Sequence, residues 1–455
     1  MNLALALLFA GAFLLRLVGL HQSLWLDEAT TARAIRQFGY AGLVSRFSPF
    51  DFHPPLYYWL IKGWSSVFGL SEAALRLPSV IAALLAGYGV YLIGKAVKNQ
   101  AVGFWATVFF LVNPLIVYYS QEARMYMLVT LFLVWLTYAV VRLESQPQRW
   151  SRWHLVAGLT ACLSLLTFYG AGFYLASLFV LLILKKRYRT AALIASATLI
   201  TGMALFPLLR LQLANARATV PLVKNWSAVL GKATLKNLVL IPIKFSSGRI
   251  SFSPKPVYYL LAGIWLLIVG AGVANGVRRH RFFAGLLFAP IIFGWCASFI
   301  TPLLQYFRFL YLLPVTSVLL AIGAGTLPRF FRRIPSSAIR LLIGLGLGLW
   351  SLAYLVLPQF HRDDWKNLAA QLPRQAKIYM IVPSADALLY YRPDIRLADV
   401  QSLNRLTKTD RRLTVIPYTT EIYGVDYRTP LRAQGYRIVH VTNARGLSIE
   451  YWEKI

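Results

Sequence analysis

Apolar runs about as long as a bilayer is thick recur along the first 357 residues of this 455-residue chain. A crossing helix needs about 20 predominantly apolar residues. In lipid, its backbone polar groups must be satisfied from within. Eleven stretches fit this requirement: 2–20, 77–94, 101–119, 124–141, 153–169, 171–184, 190–209, 257–276, 282–301, 309–327 and 341–357. The expected fold class is therefore a polytopic α-helical membrane protein with about 11 transmembrane helices. Tyr169-Gly170 separates two short helices between Trp153 and Leu184, and Asn113-Pro114 predicts a kink or break inside 101–119. The first stretch carries Arg16 and has neither a basic leader nor a small-residue cleavage site, which marks it as an uncleaved span.

Charge divides the chain near Leu357. Residues 1–357 hold 32 basic but only six acidic residues, whereas 358–455 hold 15 and ten. A membrane unit, 1–357, is expected to precede a small polar unit, 358–455. In the second unit, HRDDWKNLAAQLP reads as an amphipathic helix with acids in its first turn. Apolar strands are predicted at 377–382, 413–417 and 436–441 and a helix around 383–391, which makes a small α/β domain. The formal net charge of +31 suits anionic headgroups or an anionic lipid substrate rather than nucleic acid. Cys162 and Cys296 both lie in apolar stretches, which leaves no disulfide framework or cysteine metal site. The sequence has no Walker loop and no dinucleotide fingerprint, which excludes ATP-driven pumps.

Basic loops set the orientation. Lys95/Lys98, Arg142/Arg149/Arg152, Lys185/Lys186/Arg187/Arg189, Arg278/Arg279/Arg281 and Arg329/Arg332/Arg333/Arg340 follow every even-numbered span. These loops and the N-terminus are expected on the cytoplasmic side of a plasma (inner) membrane. The outer face then receives loop 21–76, the turn 118–124, the turn Phe168–Gly172, loop 210–256, the segment Gln305–Arg308 and residues 358–455. Five of the six acids of the membrane unit lie there, all but Glu144, so the chemistry is expected outside.

Three outer segments carry candidate chemistry. WLDEATTARAI places Asp27-Glu28 at the start of a short amphipathic helix, where the pair either caps that helix or works on a substrate. In FDFHPPLYYWLIK, Pro54-Pro55 fixes an extended turn that holds Asp51 and His53 beside Tyr57 and Tyr58. In NPLIVYYSQEARMYML, Glu122 and Arg124 stand two residues apart at a span's outer end, where they pair with each other or with neighbouring helices. Loop 210–256 carries Arg210, Arg217, Lys224, Lys232, Lys236, Lys244, Arg249 and Lys255 with no acid. It reads as a surface-lying cationic segment or a lid over a lipid phosphate.

WLDEA at 25–29, HPPLYYWLIK at 53–62, SEAALRLPS at 71–79 and YSQEARMYML at 119–128 occur in this order. Together they resemble the GT-C superfamily of integral membrane glycosyltransferases, on the branch of protein O-mannosyltransferases and aminoarabinose lipid A transferases. The likeness is closest over residues 1–130, and QYFRFLYLLP at 305–314 is similar to the family's Arg-Tyr-rich segment before a late span. The resemblance implies a GT-C fold with Asp27 as catalytic base and Glu28 beside it. It implies that His53 and Tyr58 line the site, that Glu122 and Arg124 shape its wall, and that Arg308 contacts the phosphate of a polyprenyl-phosphate sugar donor. Tyr169 falls in a turn where relatives often carry His-Tyr. This chain has Phe168-Tyr169, so any role of that His is absent or moved.

The chemistry is consistent with those residues. A lipid phosphate leaves without a general acid, so the reaction needs one carboxylate to take the acceptor's proton and cations to stabilise the departing phosphate. No cofactor is required, and His53 with the outer acids matches no dedicated metal spacing. The expected partners are the lipid-linked donor, a lipid, glycan or protein acceptor, and membrane lipids, with no nucleic acid. A rival class is a transporter of polyprenyl lipids or polysaccharide. Transporters place ionisable groups near the midplane of two related halves, whereas the acids here cluster on one face within the first 130 residues, and no internal repeat is visible.

Overall fold

A computed structural model describes residues 3–144, 151–326, 335–405 and 411–455. Arg149, Arg329, Arg332 and Arg333 of the basic loops lie outside the described residues. The membrane unit comprises α1 (Leu3–Leu17), α2 (Leu26–Gln37), α3 (Leu56–Phe68), α4 (Glu72–Val97), α5 (Gln100–Leu111), α6 (Pro114–Ser120), α7 (Tyr126–Glu144) and α8 (Arg152–Thr167). It continues with α9 (Ala171–Leu184), α10 (Tyr188–Thr219), α11 (Leu235–Ser247), α12 (Lys255–Arg279), α13 (Arg281–Ala297), α14 (Leu313–Ala324) and α15 (Ser336–Val356). Every one of the eleven expected stretches falls on helix. By length and composition six helices qualify as spans, namely α4, α7, α10, α12, α14 with its preceding turn, and α15. The bent pair α5–α6 makes a seventh, while α1, α9 and α13 are apolar but shorter. The count of eleven therefore depends on including the short helices, α8 among them.

The sequence explains the helix ends locally. Ser71 accepts from the Ala74 amide at the start of α4, and Asn99 from the Val102 amide at the start of α5. Gly94 of α4 lies against Gly103 of α5, where a Cβ on Gly94 would come within 2.7 Å of the Gly103 Cα, so only small residues allow this crossing. The predicted break at Asn113-Pro114 is a 61° bend. It frees backbone amides and carbonyls that a continuous helix would have satisfied, and side chains take up several of them. Asn113 Oδ1 accepts from the Leu115 amide, Arg16 donates to the Leu111 carbonyl at 2.8 Å, and Ser351 donates to the Val112 carbonyl at 2.7 Å. Arg16 is thus consumed in bracing the break.

Among the described residues, the basic loops gather at one end of the bundle. Lys185 pairs with Glu144 at 2.6 Å, and Arg187 donates to the Glu144 carbonyl. The field of Lys185 and Glu144 reaches His280, while Lys98 lies within the field of Arg340 and Arg279.

Residues 358–455 add α16 (Trp365–Ala370), α17 (Asp386–Tyr391) and the strands β1 (Lys377–Met380), β2 (Arg396–Asp399), β3 (Arg412–Val415), β4 (Tyr436–Ala444) and β5 (Leu447–Lys454). The sheet order is β2-β1-β3-β5-β4, with β1 parallel to β2 and β3, and β5 antiparallel to β3 and β4. Strands β2 and β5 were not expected. Asp364 caps α16 by accepting from the Asn367 amide, as its position suggests. Alternation along β1 sends Ile378 and Met380 into the core shared with the membrane unit, and Tyr379 and Ile381 into a smaller outer core. The core is therefore continuous across the compositional boundary. Polar contacts reinforce it: Arg33 with Asp386, Lys366 with Glu72, and the Leu24 amide with the Tyr391 hydroxyl at 2.8 Å.

Candidate active site

Neighbouring residues of a helix point about 100° apart, so Asp27 and Glu28 at the start of α2 meet different surroundings. Glu28 is fully buried. Its Oε1 accepts from Arg76 Nε at 2.8 Å and from the Ala123 amide at 2.8 Å, and its Oε2 accepts from Arg76 at 2.6 Å. Burial works against this carboxylate, but Arg76, Arg362 and the Ala123 amide hold it below the ordinary carboxylate range. Glu28 was expected beside the base as a catalytic group. The structure places it in the interior, with both carboxylate oxygens hydrogen-bonded.

Asp27 keeps 39% of its side chain exposed. Its carboxylate stands 3.8 Å from Arg124, a residue otherwise buried. The surrounding protein raises its pKa above the ordinary range, Arg124 opposes the rise, and the neighbouring Asp51 charge adds to it. A carboxylate of this kind is the better base, because its conjugate acid lies closer to neutral pH.

The segment before α3 supplies the other wall. The turn Ser48–Asp51 ends at Phe52, whose left-handed backbone (φ 62°) reverses the chain into His53-Pro54-Pro55. Asp51 Oδ2 accepts from the Tyr58 hydroxyl and bonds His53 Nδ1 at 2.9 Å, while Oδ1 lies 4.0 Å from Arg124. Burial disfavours the Asp51 carboxylate, but His53, Arg124 and Tyr58 hold it below its usual range. Arg124 also donates to the Tyr58 hydroxyl at 3.3 Å. Asp27, Asp51, His53, Tyr58 and Arg124 thus form one connected group.

Glu122 does not pair with Arg124. Its Oε2 meets Arg362 at 3.3 Å, its carbonyl accepts from Ser79 at 2.6 Å, and its Oε1 has no hydrogen-bond partner. Burial lifts its carboxyl to about 7, against the pull of Arg362. Tyr169 is half-buried and acts through a relay. Its hydroxyl donates to Gln212 at 2.7 Å, and Gln212 donates to the Ser48 carbonyl at 2.8 Å and the His53 carbonyl at 3.1 Å, tying α10 to the Asp51 segment.

Aromatic rings carry the wall onward. His53 stacks on Phe168 with centroids 6.5 Å apart, Phe168 meets Tyr126 at 6.1 Å, and Tyr126 meets Phe307 at 5.6 Å. Arg308 follows, donating to the Pro302 carbonyl at 3.3 Å. Arg249 is exposed and donates to the Tyr118 hydroxyl at 2.6 Å. Among the described residues, neither Arg249 nor Arg308 forms an ion pair with a carboxylate. Burial, Arg249 and Lys255 together press the nearby Lys244 ammonium down to about 8. Lys244, Arg249 and Lys255 thus form one cluster of like charge. Among the described residues, no group of three His, Cys, Asp or Glu side chains is arranged to hold a metal ion.

Sequence reasoning singled out Asp27, His53, Tyr58 and Arg124, and the structure brings all four together. It did not identify Arg76, Gln212 or Arg362 as parts of this assembly, and it placed Arg249 only within the cationic loop 210–256. For Arg76 a signal existed, since a lone arginine inside an apolar helix requires a buried partner.

A family model described as dolichyl-phosphate-mannose-protein mannosyltransferase matches residues 52–210. The crystal structure of ArnT from Cupriavidus metallidurans in the apo state superposes with a TM-score of 0.62 at 14% identity, covering 98% of this chain and 97% of that one. The same protein bound to undecaprenyl phosphate gives 0.57 at 15% identity, again over 98% and 97%. The chain has the GT-C fold. The GT-C fold also relates it to the Archaeoglobus fulgidus oligosaccharyltransferase, with a TM-score of 0.56, 13% identity and coverage of 98% of this chain and 72% of that one. A search of curated protein sequences gave no match. The family model begins at Phe52 and runs through the Glu122–Arg124 turn into α10, so it covers His53, Tyr58 and Arg124 but not Asp27, Asp51, Arg249, Arg308 or Arg362.

Proposed function

We propose that this protein is an inverting glycosyltransferase that moves a sugar from a polyprenyl-phosphate carrier to an acceptor hydroxyl at the outer face of the plasma membrane. The observation that carries this reading is the accessible Asp27 carboxylate, held 3.8 Å from buried Arg124. The acceptor oxygen attacks the anomeric carbon from the side opposite the phosphate. The bond from that carbon to the phosphate oxygen breaks, its electron pair leaves on the phosphate, and the hydroxyl proton passes to Asp27. A single displacement of this kind inverts the anomeric centre.

Arg308 and Arg249 would neutralise the departing phosphate, Arg249 through a fork that suits two phosphate oxygens. Arg124 would hold the Asp27 carboxylate in place and limit the rise in its pKa. The undecaprenyl phosphate bound by the similar ArnT structure supports a lipid-linked donor, and nucleotide sugars do not reach an outward-facing site. In this reading the five basic loops face the cytoplasm and residues 358–455 face outward.

The test uses purified protein in detergent with a panel of radiolabelled polyprenyl-phosphate sugars and crude envelope acceptors. Label transferred by wild type but not by Asp27→Asn supports the reading and identifies the sugar. If neither protein transfers label, yet both carry the donor across proteoliposomes, the transporter takes its place.

A further inference from the structure

Arg362 lies at the start of the outer unit, more than two hundred residues from the loop 21–76 and the turn 118–124, yet its side chain ends between them. The side chain is 2% exposed. Its guanidinium stacks over the Tyr118 ring at 4.2 Å and donates to the Tyr118 carbonyl at 3.2 Å and the Tyr354 hydroxyl at 3.3 Å. It meets Glu122 Oε2 at 3.3 Å, and its Nε lies 3.8 Å from Glu28 Oε2. The backbone is fixed as well. Its carbonyl accepts from Arg445 Nε at 2.8 Å, the Arg445 carbonyl accepts from the Asp364 amide at 2.9 Å, and Asp363 accepts from the Tyr418 hydroxyl at 3.2 Å.

The two acids it touches flank the reactive pair. Glu28 follows Asp27 directly, and Glu122 precedes Arg124 by two residues. Glu28 in turn binds the Ala123 amide inside the same turn. One guanidinium therefore spans both backbone segments that set the Asp27–Arg124 distance.

We infer that Arg362 is a positioning residue of this active site, supplied by the outer unit to hold Asp27 and Arg124 in register. The inference rests on the proposed transferase reading for its kinetic consequence, but not for its structural one. A bidentate fork fits two acids and a carbonyl, whereas a lysine supplies one point charge. Misplacing a reacting group by about 1 Å costs on the order of 10²-fold in rate. Arg362→Met is expected to lower kcat by roughly that factor, with the donor KM changed less than about threefold, because the phosphate cations lie elsewhere. Arg362→Lys recovers part of the loss.

Arg362→Met also strands Glu122, so a stability defect must be separated from a positioning defect. The double variant Arg362→Met/Glu122→Gln removes the stranded charge. Its thermal stability is expected to return to near wild type while kcat stays low. Recovery of kcat together with stability would overturn the inference and leave Arg362 as a counter-ion only. Hydrogen exchange read by mass spectrometry needs no turnover. Amides of residues 25–29 and 121–125 should exchange faster in the double variant, with those of α10 unchanged. Unchanged exchange in both outer segments overturns the inference whatever the activity shows. Faster exchange in a protein that transfers no sugar from any donor keeps Arg362 as the clamp and removes the transferase reading instead.

Discussion

Replacing Asp27 by Asn keeps the shape of the side chain and removes its capacity to take a proton. Turnover should fall by about 10²–10⁴-fold, the usual range for a lost general base. Thermal stability and binding of undecaprenyl phosphate should be nearly unchanged. The dependence of kcat/KM on pH gives a second check, because its acidic limb should lie above the ordinary carboxylate range, following the raised pKa of Asp27. Glu28→Gln should behave in the opposite way. Breaking a buried ion pair leaves Arg76 uncompensated and costs about 3–5 kcal/mol, so the unfolding midpoint should drop sharply, and activity with it.

Glu122 adds a pH term of defined sign. Burial raises its folded carboxyl to about 7 from the ordinary 4.5 of a glutamate, so between these values the folded state binds more protons than the unfolded one. Stability from this group is therefore present at low pH and is lost as pH rises through that window. Glu122→Gln should flatten the decline in unfolding midpoint from pH 5 to 8. Motif residues such as Asp27, His53 and Tyr58 were legible because their chemistry lies within one loop. Arg362 was not, because HRDDW reads locally as the approach to a helix, and nothing in sequence ties it to Glu122.

At the scale of elements, the helices were legible and their supports were not. Asn113-Pro114 announced the break between α5 and α6, whereas Arg16 and Ser351 as partners of the freed carbonyls could be seen only in the fold. Strand β2 is four half-exposed residues, RLAD, too short to show an alternation, and β5 pairs buried Ile449 with buried Glu450 next to it. The Gln212 relay is a similar case, joining α10 to Ser48 and His53 over more than 150 residues. Gln212→Ala should loosen the Asp51 segment without opening a core cavity. The expected result is roughly a tenfold fall in kcat/KM with an unfolding midpoint within a few degrees of wild type. Circular dichroism melts alongside the transfer assay check both parts.

For the whole molecule, the acid-poor composition of residues 1–357 anticipated an asymmetric particle. The fold gathers basic loops at one end and the carboxylate site at the other. That asymmetry predicts sidedness. In a background with Cys162 and Cys296 replaced by Ser, Lys186→Cys should react with a membrane-impermeant thiol reagent only from the cytoplasmic side, and Lys232→Cys only from outside. Reversed labelling would invert the proposed topology. The compositional boundary near Leu357 marks a change of solvent rather than an energetic seam, because Trp365, Leu368 and Ile378 belong to the same core as the membrane helices.

That shared core also bears on the order of assembly during synthesis. The ribosome delivers Asp27 and Arg124 long before Arg362, and the hairpin that fixes Arg362 emerges later still. If Arg362 clamps the site as inferred, the nascent chain holds Asp27 and Arg124 before the guanidinium that fixes them exists. On that inference, a product cut short after α15 would carry Asp27 and Arg124 without the guanidinium that holds them in register.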